Sequence, residues 1–325
     1  MDKNGTLNIL KPAGMTSHDV VQTIRKISGQ KRVGHTGTLD PMACGVLPIC
    51  LGKSTRAIEY MDRNHKRYKC SMQFGMATDT QDIWGNLLKR DEEFKLINFK
   101  EDDIKKAFLH QKGDIMQIPP KYSAVKIGGK RLYEYARSGE DIEIKERPVS
   151  VYDIEIEEID CKNNRVIFYV ECSKGTYIRT ICDEAGKFLG SFGTMTSLIR
   201  TDSSGFELQS SITLEELKKE FLEAGNIDRY IEGVEKRLEF MGHITIPYKR
   251  RKWFVNGGRL RKDEYIKEKE ADTRFYNPHT GMNPDYFNTY VVKSECEDGA
   301  CGPKEFLGTA AVNKEKELVV CKIMV

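Results

Sequence analysis

The sequence predicts an α+β protein with a mixed, mainly antiparallel sheet and a small β-barrel-like C-terminal domain. Segments in which apolar and polar residues alternate, as in half-buried strands, lie between segments whose apolar residues recur at helical spacing. After Gly242 the pattern changes to short apolar runs separated by turns. Because 325 residues exceed the usual size of one domain, we expect a large domain at 1–240 and a small one at 243–325.

Composition narrows the class of protein. Apolar residues make up 39% and charged residues 31%, which is enough for a packed core under a well-solvated surface. Residues 1–10 are charged and no window approaches the roughly 20 apolar residues of a membrane span, so we expect a cytoplasmic protein without a membrane partner. The nine cysteines and six histidines show no zinc-type spacing. We therefore expect no metal, and mostly buried, reduced cysteines.

Four elements in the first half and middle of the chain have clear patterns. A helix is predicted to be capped by Ser17 and to end at Gly29. A strand opens at Tyr68, and its apolar face continues with Cys70, Met72 and Phe74. Residues 151–157 and 165–171 alternate in the same way and are separated by an Asn-Asn turn, which predicts an antiparallel pair.

The pattern continues with two helices and a final pair of strands. A helix is predicted after Gly175, closing at Gly190. Thr213 and Glu216 have the spacing of a capping box, and Gly225 stops the helix that they begin. The last two apolar runs, 306–312 and 318–325, are predicted to pair in the C-terminal domain.

Residues 34–41, Gly-His-Thr-Gly-Thr-Leu-Asp-Pro, are the best candidate for chemistry. Asp40 is a single carboxylate in a loop broken by glycine and lined by hydroxyl groups, and Pro41 keeps the backbone extended at Asp40. An aspartate with its ordinary pKa of about 3.9 is ionised at neutral pH. Asp40 is therefore available as a nucleophile or a base.

Positive charge is concentrated in two places, although the net charge is only +3. Residues 121–137 hold five basic residues against one acid, with three tyrosines among them, and residues 249–262 hold seven basic residues and no acid.

 Such clusters can neutralise phosphates, and nearby aromatic rings can stack on unpaired bases. An ordinary solvated surface is an equally good interpretation of either cluster taken alone.

Five motifs follow one another in the N-terminal two thirds of the chain. They are 11–17, the Asp40 loop, 78–82 with Gly85, 118–137 and the Gly-Thr-Tyr-Ile-Arg segment that ends at Arg179. Together they resemble the tRNA pseudouridine synthase B (TruB) family, of the bacterial stand-alone type. The resemblance implies a pseudouridine synthase catalytic domain that isomerises uridine 55 in the T-loop of tRNA to pseudouridine, without a cofactor.

The resemblance also implies roles for single residues. Asp40 is the catalytic carboxylate, Arg179 pairs with it, and Tyr68 stacks on the target base and handles a proton. Tyr177 and Leu198 line the pocket for the uracil. Because a stacked uridine must be extruded before it can react, His35 is implied to fill the space that the flipped base leaves.

RNA binding is assigned by the resemblance to Lys11 and to an RNA-clamping insertion at about 117–148. The insertion's candidate contacts are Lys121, Lys126, Lys130 and Arg131. The implied partner is the T-loop and arm of tRNA, with no guide RNA, and we expect a monomer. Residues 254–259 and the last two strands resemble a PUA-type RNA-binding domain, whereas 271–302 match nothing in the family.

Several alternatives stay open at the level of sequence. Asp40 can attack C1′ or C6 of the nucleoside or act by proton transfer. Asp79 and Asp82 are better explained as turn residues than as catalysts. Ile199 stands where the family commonly has an arginine, which leaves one contact in doubt.

Three other functions compete with the stand-alone synthase. One is a guide-RNA-dependent pseudouridine synthase, and another is a non-catalytic protein that binds or folds tRNA. The third is a glycoside hydrolase that uses Asp40 together with Asp79 or Asp82.

Overall fold

The computed structural model describes residues 3–61, 65–270, 289–296 and 304–325. The α-helices are α1 (Ser17–Ser28), α2 (Ile58–Met61), α3 (Glu101–Leu109), α4 (Leu132–Ser138), α5 (Ile178–Phe188), α6 (Leu214–Ala224) and α7 (Tyr248–Val255). Within these described residues, no helix has the length and apolar character needed to cross a membrane.

The strands, in chain order, cover much of the remaining chain. They are β1 (Gly5–Lys11), β2 (Val33–His35), β3 (Cys44–Leu51), β4 (Lys66–Phe74), β5 (Met76–Thr78), β6 (Leu87–Arg90), β7 (Gly113–Gln117), β8 (Lys126–Ile127), β9 (Lys130–Arg131), β10 (Arg147–Asp160), β11 (Arg165–Cys172), β12 (Gly193–Ser203), β13 (Phe206–Glu207), β14 (Gly242–Ile246), β15 (Ile266–Lys269), β16 (Thr289–Ser294), β17 (Glu305–Val312) and β18 (Leu318–Ile323). The predicted α+β class with a mixed, mainly antiparallel sheet is confirmed.

The chain forms two compact units. The first unit contains 1–40, 46–63 and 204–325, and the second contains 41–45 and 64–203. The division into a catalytic domain at 1–240 and an RNA-binding domain at 243–325 stays a prediction. Residues 271–288 and 297–303, which include most of the segment that the sequence left unmatched, lie outside the described residues.

In the first unit, β3 is a neighbour of β1 in the sheet and pairs antiparallel with β2. Helix α1 ends at Gly29, as predicted, but its N-cap is Thr16 and not Ser17. The Thr16 side chain accepts from the Asp19 amide and the Asp19 carboxylate accepts from the Thr16 amide, so both ends of a capping box are made. The predicted capping box of Thr213 and Glu216 at α6 is confirmed.

The C-terminal sheet also belongs to the first unit, with the strand order β15-β14-β16-β17-β18. Strands β14 and β16 are parallel, and the other neighbouring pairs are antiparallel. Within the described residues, no pairing joins β15 to β18 to close a barrel. The sheet packs on a buried apolar cluster that includes Ile244, Phe254, Leu260, Val292 and Leu307.

The second unit is built on the antiparallel strand order β12-β4-β11-β10-β7. The predicted alternation in β4 is confirmed, because Tyr68, Cys70, Met72 and Phe74 are buried while the residues between them are not. The predicted antiparallel pair is β10 with β11, although β10 is longer than expected. Asn164 adopts a φ of 51° in the turn between them, a left-handed conformation that asparagine tolerates.

Helix α5 packs along one face of this sheet. The thiol sulfurs of Cys70 on β4 and Cys182 on α5 are 3.7 Å apart. One turn later, a Cβ on Gly186 would lie 2.2 Å from the Gly193 amide nitrogen at the start of β12, so only glycine permits this approach. Since Gly193 pairs with Phe74, the helix runs from the Tyr68 end of β4 towards its Phe74 end. The first turn of α5 therefore lies at the Tyr68 end.

His65 lies between two carboxylates immediately before β4. Its Nε2 is 2.5 Å from Glu171 Oε1, its Nδ1 is 3.3 Å from Asp202 Oδ1, and its ring is stacked near Tyr152. Hydrogen bonding to Asp202, followed by that to Glu171, raises the pKa of His65 above its ordinary value, against the effect of burial.

We expect His65 to stabilise the fold more at pH 6 than at pH 9. Because its folded-state pKa is raised, its contribution is complete below the unfolded pKa of about 6.5 and is lost as the pH rises through the folded pKa. Urea unfolding of the wild type and of His65→Gln at the two pH values measures this. The difference in unfolding free energy should be larger at pH 6, and an equal difference at both pH values would contradict the expectation.

Candidate functional site

The loop that carries Asp40 is fixed within the first unit from both sides. At its start, His35 pairs with Ile49 across β2 and β3. At its end, the Ser17 hydroxyl accepts from the Leu39 amide at 2.9 Å and donates to the Leu39 carbonyl at 3.1 Å. Because Leu39 precedes Asp40, the first turn of α1 sets the backbone from which the half-buried carboxylate projects.

Lys11 is fully buried at the end of β1. Its ammonium donates to the carbonyls of Pro12, at 2.8 Å, and Met15, at 2.6 Å. These bonds hold the turn that leads into α1, since both carbonyls belong to it. A contact between Lys11 and RNA, implied by the family resemblance, stays a prediction.

Arg179 lies in the first turn of α5, in the second unit, and is 3% exposed. Its Nη1 donates to the Thr80 carbonyl at 2.9 Å and its Nη2 donates to the Tyr122 carbonyl at 3.0 Å. Its Nη1 also lies 3.7 Å from Asp82 Oδ2, and Asp82 is itself buried. The guanidinium is therefore held in one orientation by a carboxylate and two carbonyls.

The loop between β5 and β6 supplies that carboxylate. Asp82 Oδ1 accepts from the Thr80 hydroxyl at 2.9 Å and from the Trp84 amide at 3.0 Å. Gly85 permits the tight turn, because a Cβ there would lie 2.3 Å from the Thr80 hydroxyl oxygen. The sequence favoured a turn role for Asp82, and the structure adds the partnership with Arg179, which sequence reasoning missed.

Asp79, in contrast, closes the same loop. Its two oxygens accept from the backbone and side-chain amides of Asn86, at 2.8 and 2.9 Å. These are the bonds of a turn residue.

Tyr68 and Leu198 lie on one face of the sheet in the second unit. Tyr68 is opposite Arg200, and Cys70 is opposite Leu198, in the pairing of β4 with β12. Directly opposite residues share a face, so Tyr68 and Leu198 are diagonal neighbours on the face that α5 covers. Both side chains are buried. The first turn of α5, which carries Arg179, lies at the same end of β4 as Tyr68. The second unit thus places Tyr68, Leu198 and the start of the helix that carries Arg179 at one end of the same sheet face.

Tyr177, the N-cap residue of α5, is held by a glutamine that sequence reasoning missed. The Gln117 side chain accepts from the Tyr177 amide at 2.7 Å and donates to the Tyr177 carbonyl at 3.1 Å. Gln117 is 3% exposed and ends β7. It therefore joins the sheet to the start of the helix that carries Arg179. No local sequence pattern distinguishes it from an ordinary polar residue at a strand end.

We expect Gln117→Ala to lower the catalytic rate at this candidate site by more than the accompanying loss of fold stability explains. It leaves an amide and a carbonyl at the start of α5 without their side-chain partner, at a cost of about 1–3 kcal/mol. Gln111→Ala is a matched control, because Gln111 is also buried and donates to the Ile181 carbonyl, further along α5. Urea unfolding and single-turnover rates compare the two, and equal rate losses at equal destabilisation would contradict a positioning role.

The predicted RNA-binding cations lie in or beside the small hairpin β8–β9 and α4. Lys121 pairs with Asp141 at 2.9 Å and Lys130 with Glu140 at 2.7 Å. Arg131 donates to the Tyr133 hydroxyl at 2.8 Å, and Lys126 is exposed. An RNA phosphate would have to replace the two carboxylates, so binding through these lysines should depend on salt.

Metal ligands are not clustered in the part of the chain that the structure describes, where no group of three or more histidine, cysteine, aspartate or glutamate side chains has the arrangement of a metal site. The eight cysteines of this part are free thiols, four of them buried. Cys301 lies outside the described residues.

Comparison with known proteins identifies the family. A model described as "TruB family pseudouridylate synthase (N terminal domain)" matches 25–178, and one described as "tRNA pseudouridylate synthase B C-terminal domain" matches 179–239. The tRNA pseudouridine synthase B of Clostridioides difficile (strain 630) is 43% identical over 302 residues, covering 90% of this chain and 98% of that protein. Its counterpart from Alkaliphilus oremlandii (strain OhILAs) is 47% identical over 257 residues, covering 79% and 83%.

Solved structures share the fold. The structure entitled "Crystal Structure of a Cbf5-Nop10-Gar1 Complex" contains a chain with a TM-score of 0.70 and 26% identity, covering 99% of this chain and 85% of that one. Two family models in succession over 25–239, and relatives above 40% identity over most of the chain, agree with the motifs around Asp40 and Arg179. The chain belongs to the TruB family of pseudouridine synthases.

Proposed function

We propose that this protein isomerises a uridine of tRNA to pseudouridine, and that its target is position 55 in the T-loop. The reaction breaks the bond between N1 and C1′, forms a bond between C5 and C1′, and replaces a proton on C5 by one on N1. Atoms and electrons balance within the nucleoside. The protein must therefore hold a uracil while it turns, and supply a group that acts at the sugar or moves the proton.

The observation that carries this proposal is the fixed orientation of Arg179 at the end of the face that holds Tyr68 and Leu198. A flat ring and an apolar side chain suit the two faces of a uracil, and a buried guanidinium suits its oxygens or a carboxylate. We assign the catalytic carboxylate to Asp40, because it projects from a loop whose backbone Ser17 fixes. Tyr177, whose backbone Gln117 fixes, completes the proposed base pocket. His35, which ends β2 just before the Asp40 loop, is proposed to fill the space of the flipped base.

We propose that no guide RNA is needed and that the protein acts as a cytoplasmic monomer. The relatives of high identity over most of the chain are named tRNA pseudouridine synthase B, which supports tRNA itself as the substrate. The basic hairpin and α4 would then hold the tRNA themselves, through Lys121, Lys126, Lys130 and Arg131.

We also propose that the C-terminal sheet is a PUA-type domain that contacts RNA. Its helix α7 and the turn after it carry the exposed cations Lys249, Lys252, Arg261 and Lys262. The other three basic residues of this region, Arg250, Arg251 and Arg259, are engaged by Glu264, Glu305 and Glu317. The exposed four are thus the ones available to phosphates.

Incubation of the purified protein with an unmodified tRNA transcript, without guide RNA, tests the proposed function. Pseudouridine mapping should show one product, at the T-loop uridine. Product at another position, product only when a guide RNA is added, or binding without any product would overturn the corresponding part of the proposal. Release of free sugar from an oligosaccharide, with the tRNA unchanged, would indicate the glycoside hydrolase instead.

A further inference from the structure

The loop and hairpin that supply Asp82 also expose a group of large apolar side chains. These are Ile83, Trp84, Leu87 and Leu88, all within six residues, and Trp84 is 58% exposed. A large indole is rarely left in water without a function, and four such side chains together form a patch.

The backbone under Trp84 is fixed to the candidate site. The Trp84 amide donates to Asp82 Oδ1 at 3.0 Å, and the other oxygen of Asp82 faces Arg179. The neighbouring Ile83 amide donates to the Met195 carbonyl on β12 at 2.9 Å. The Trp84 indole therefore extends from a backbone that is held by hydrogen bonds, and the Asp82 carboxylate links this backbone to the Arg179 guanidinium.

The charges beside this patch favour an anionic partner. Lys89 and Arg90 are exposed on β6. Lys89 lies 5.6 Å from the centroid of the Phe192 ring, and Arg90 Nε lies 3.7 Å from Glu92 Oε1 in an exposed ion pair. The two acidic side chains of the loop are engaged, Asp79 by Asn86 and Asp82 by Thr80 and Arg179. An apolar ring with exposed cations next to it matches unpaired RNA, whose bases can stack on the ring and whose phosphates can pair with Lys89 and compete with Glu92 for Arg90.

We propose that Trp84 is a stacking platform for a nucleobase of the bound RNA, with Lys89 and Arg90 contacting the adjacent phosphates. This inference rests on the proposed function, because it takes the RNA substrate from it. Stacking on Trp84 would hold the RNA beside Arg179 and act on binding, not on the chemical step. Trp84 is thus a substrate-positioning residue.

The experiment uses the fact that the chain has two tryptophans, Trp84 and Trp253. In the Trp253→Phe background, Trp84 is the only tryptophan, so its emission reports on its own environment. Titration with unmodified tRNA should quench this emission to saturation. In the same background, Trp84→Ala should weaken tRNA binding and raise KM about tenfold with kcat little changed, while Trp84→Tyr should keep most of the affinity.

Leu222→Ala is the matched control, because Leu222 is an exposed apolar residue on α6 and outside this patch. It should leave tRNA binding unchanged, and thermal unfolding should show that every variant is folded. Unchanged Trp84 emission at saturating tRNA, or unchanged affinity in Trp84→Ala, would overturn the inference. Loss of self-association in Trp84→Ala with tRNA binding unchanged would overturn it too, and would indicate a protein-docking patch.

The two proposals fail in different ways. If Trp84 responds to tRNA but no pseudouridine forms in the background protein, the proposed function fails and the stacking stands. If pseudouridine forms normally and Trp84 does not respond, only the stacking fails.

Discussion

Asp40→Asn should abolish pseudouridine formation while tRNA binding stays close to that of the wild type. Asparagine has nearly the same shape as aspartate, so the Leu39 backbone held by Ser17 should keep its position. The amide is neutral, and it can neither attack the nucleoside nor accept a proton. We expect the single-turnover rate to fall by about a thousandfold or more, which is a loss of the size that removal of one acid-base group causes.

Asp79→Asn is the matched control for this prediction. It removes the same unit of charge from a loop near Arg179, but the bonds that Asp79 makes to Asn86 are those of a turn residue. Its rate should stay within a few-fold of the wild type, whereas a mechanism with two carboxylates would lose activity in both variants. Full activity of Asp40→Asn would remove Asp40 from the mechanism. Binding of tRNA without any product from the wild type would instead favour the non-catalytic RNA-binding function.

The elements that the sequence predicted well are those with local signals. The alternation in β4 and the capping box at Thr213 depend on residues within a few positions of each other, so periodicity and spacing were sufficient. The cap of α1 was misplaced by one residue because Ser17 and Thr16 are equally good capping types. The Ser17 hydroxyl is bonded instead to the Leu39 backbone, which is distant in sequence, and Thr16 takes the capping position.

The support of the candidate site was harder to predict for the same reason. Asp82 and Gln117 act on Arg179 and Tyr177, which are distant in sequence, and nothing next to either residue indicates its partner. The family resemblance implied roles for Asp40, Arg179 and Tyr68, which stay predictions, but it did not supply the contacts that orient these residues. Those contacts depend on how β7, α5 and the β5–β6 loop pack.

Arg179→Lys should retain a folded protein but lose most of the activity. A lysine keeps the positive charge near Asp82, so it avoids an uncompensated buried carboxylate, which would cost about 3–5 kcal/mol. It cannot reproduce the planar fork that donates to the carbonyls of Thr80 and Tyr122 at the same time. We therefore expect a rate loss of about a hundredfold or more with only a moderate loss of stability, measured by single-turnover assay and urea unfolding.

A double-mutant cycle of Arg179→Lys with Asp82→Asn separates orientation from charge. If Asp82 acts by orienting Arg179, the second substitution should cost little activity once the first has removed the guanidinium, and the combined rate loss should be smaller than the product of the single losses. Arg179→Ala shows the effect of removing the cation altogether. It leaves Asp82 buried without Arg179, so it should be the least stable of these variants. Independent rate losses in the cycle would show that Asp82 and Arg179 act separately, and the orienting role that the 3.7 Å separation suggests would be wrong.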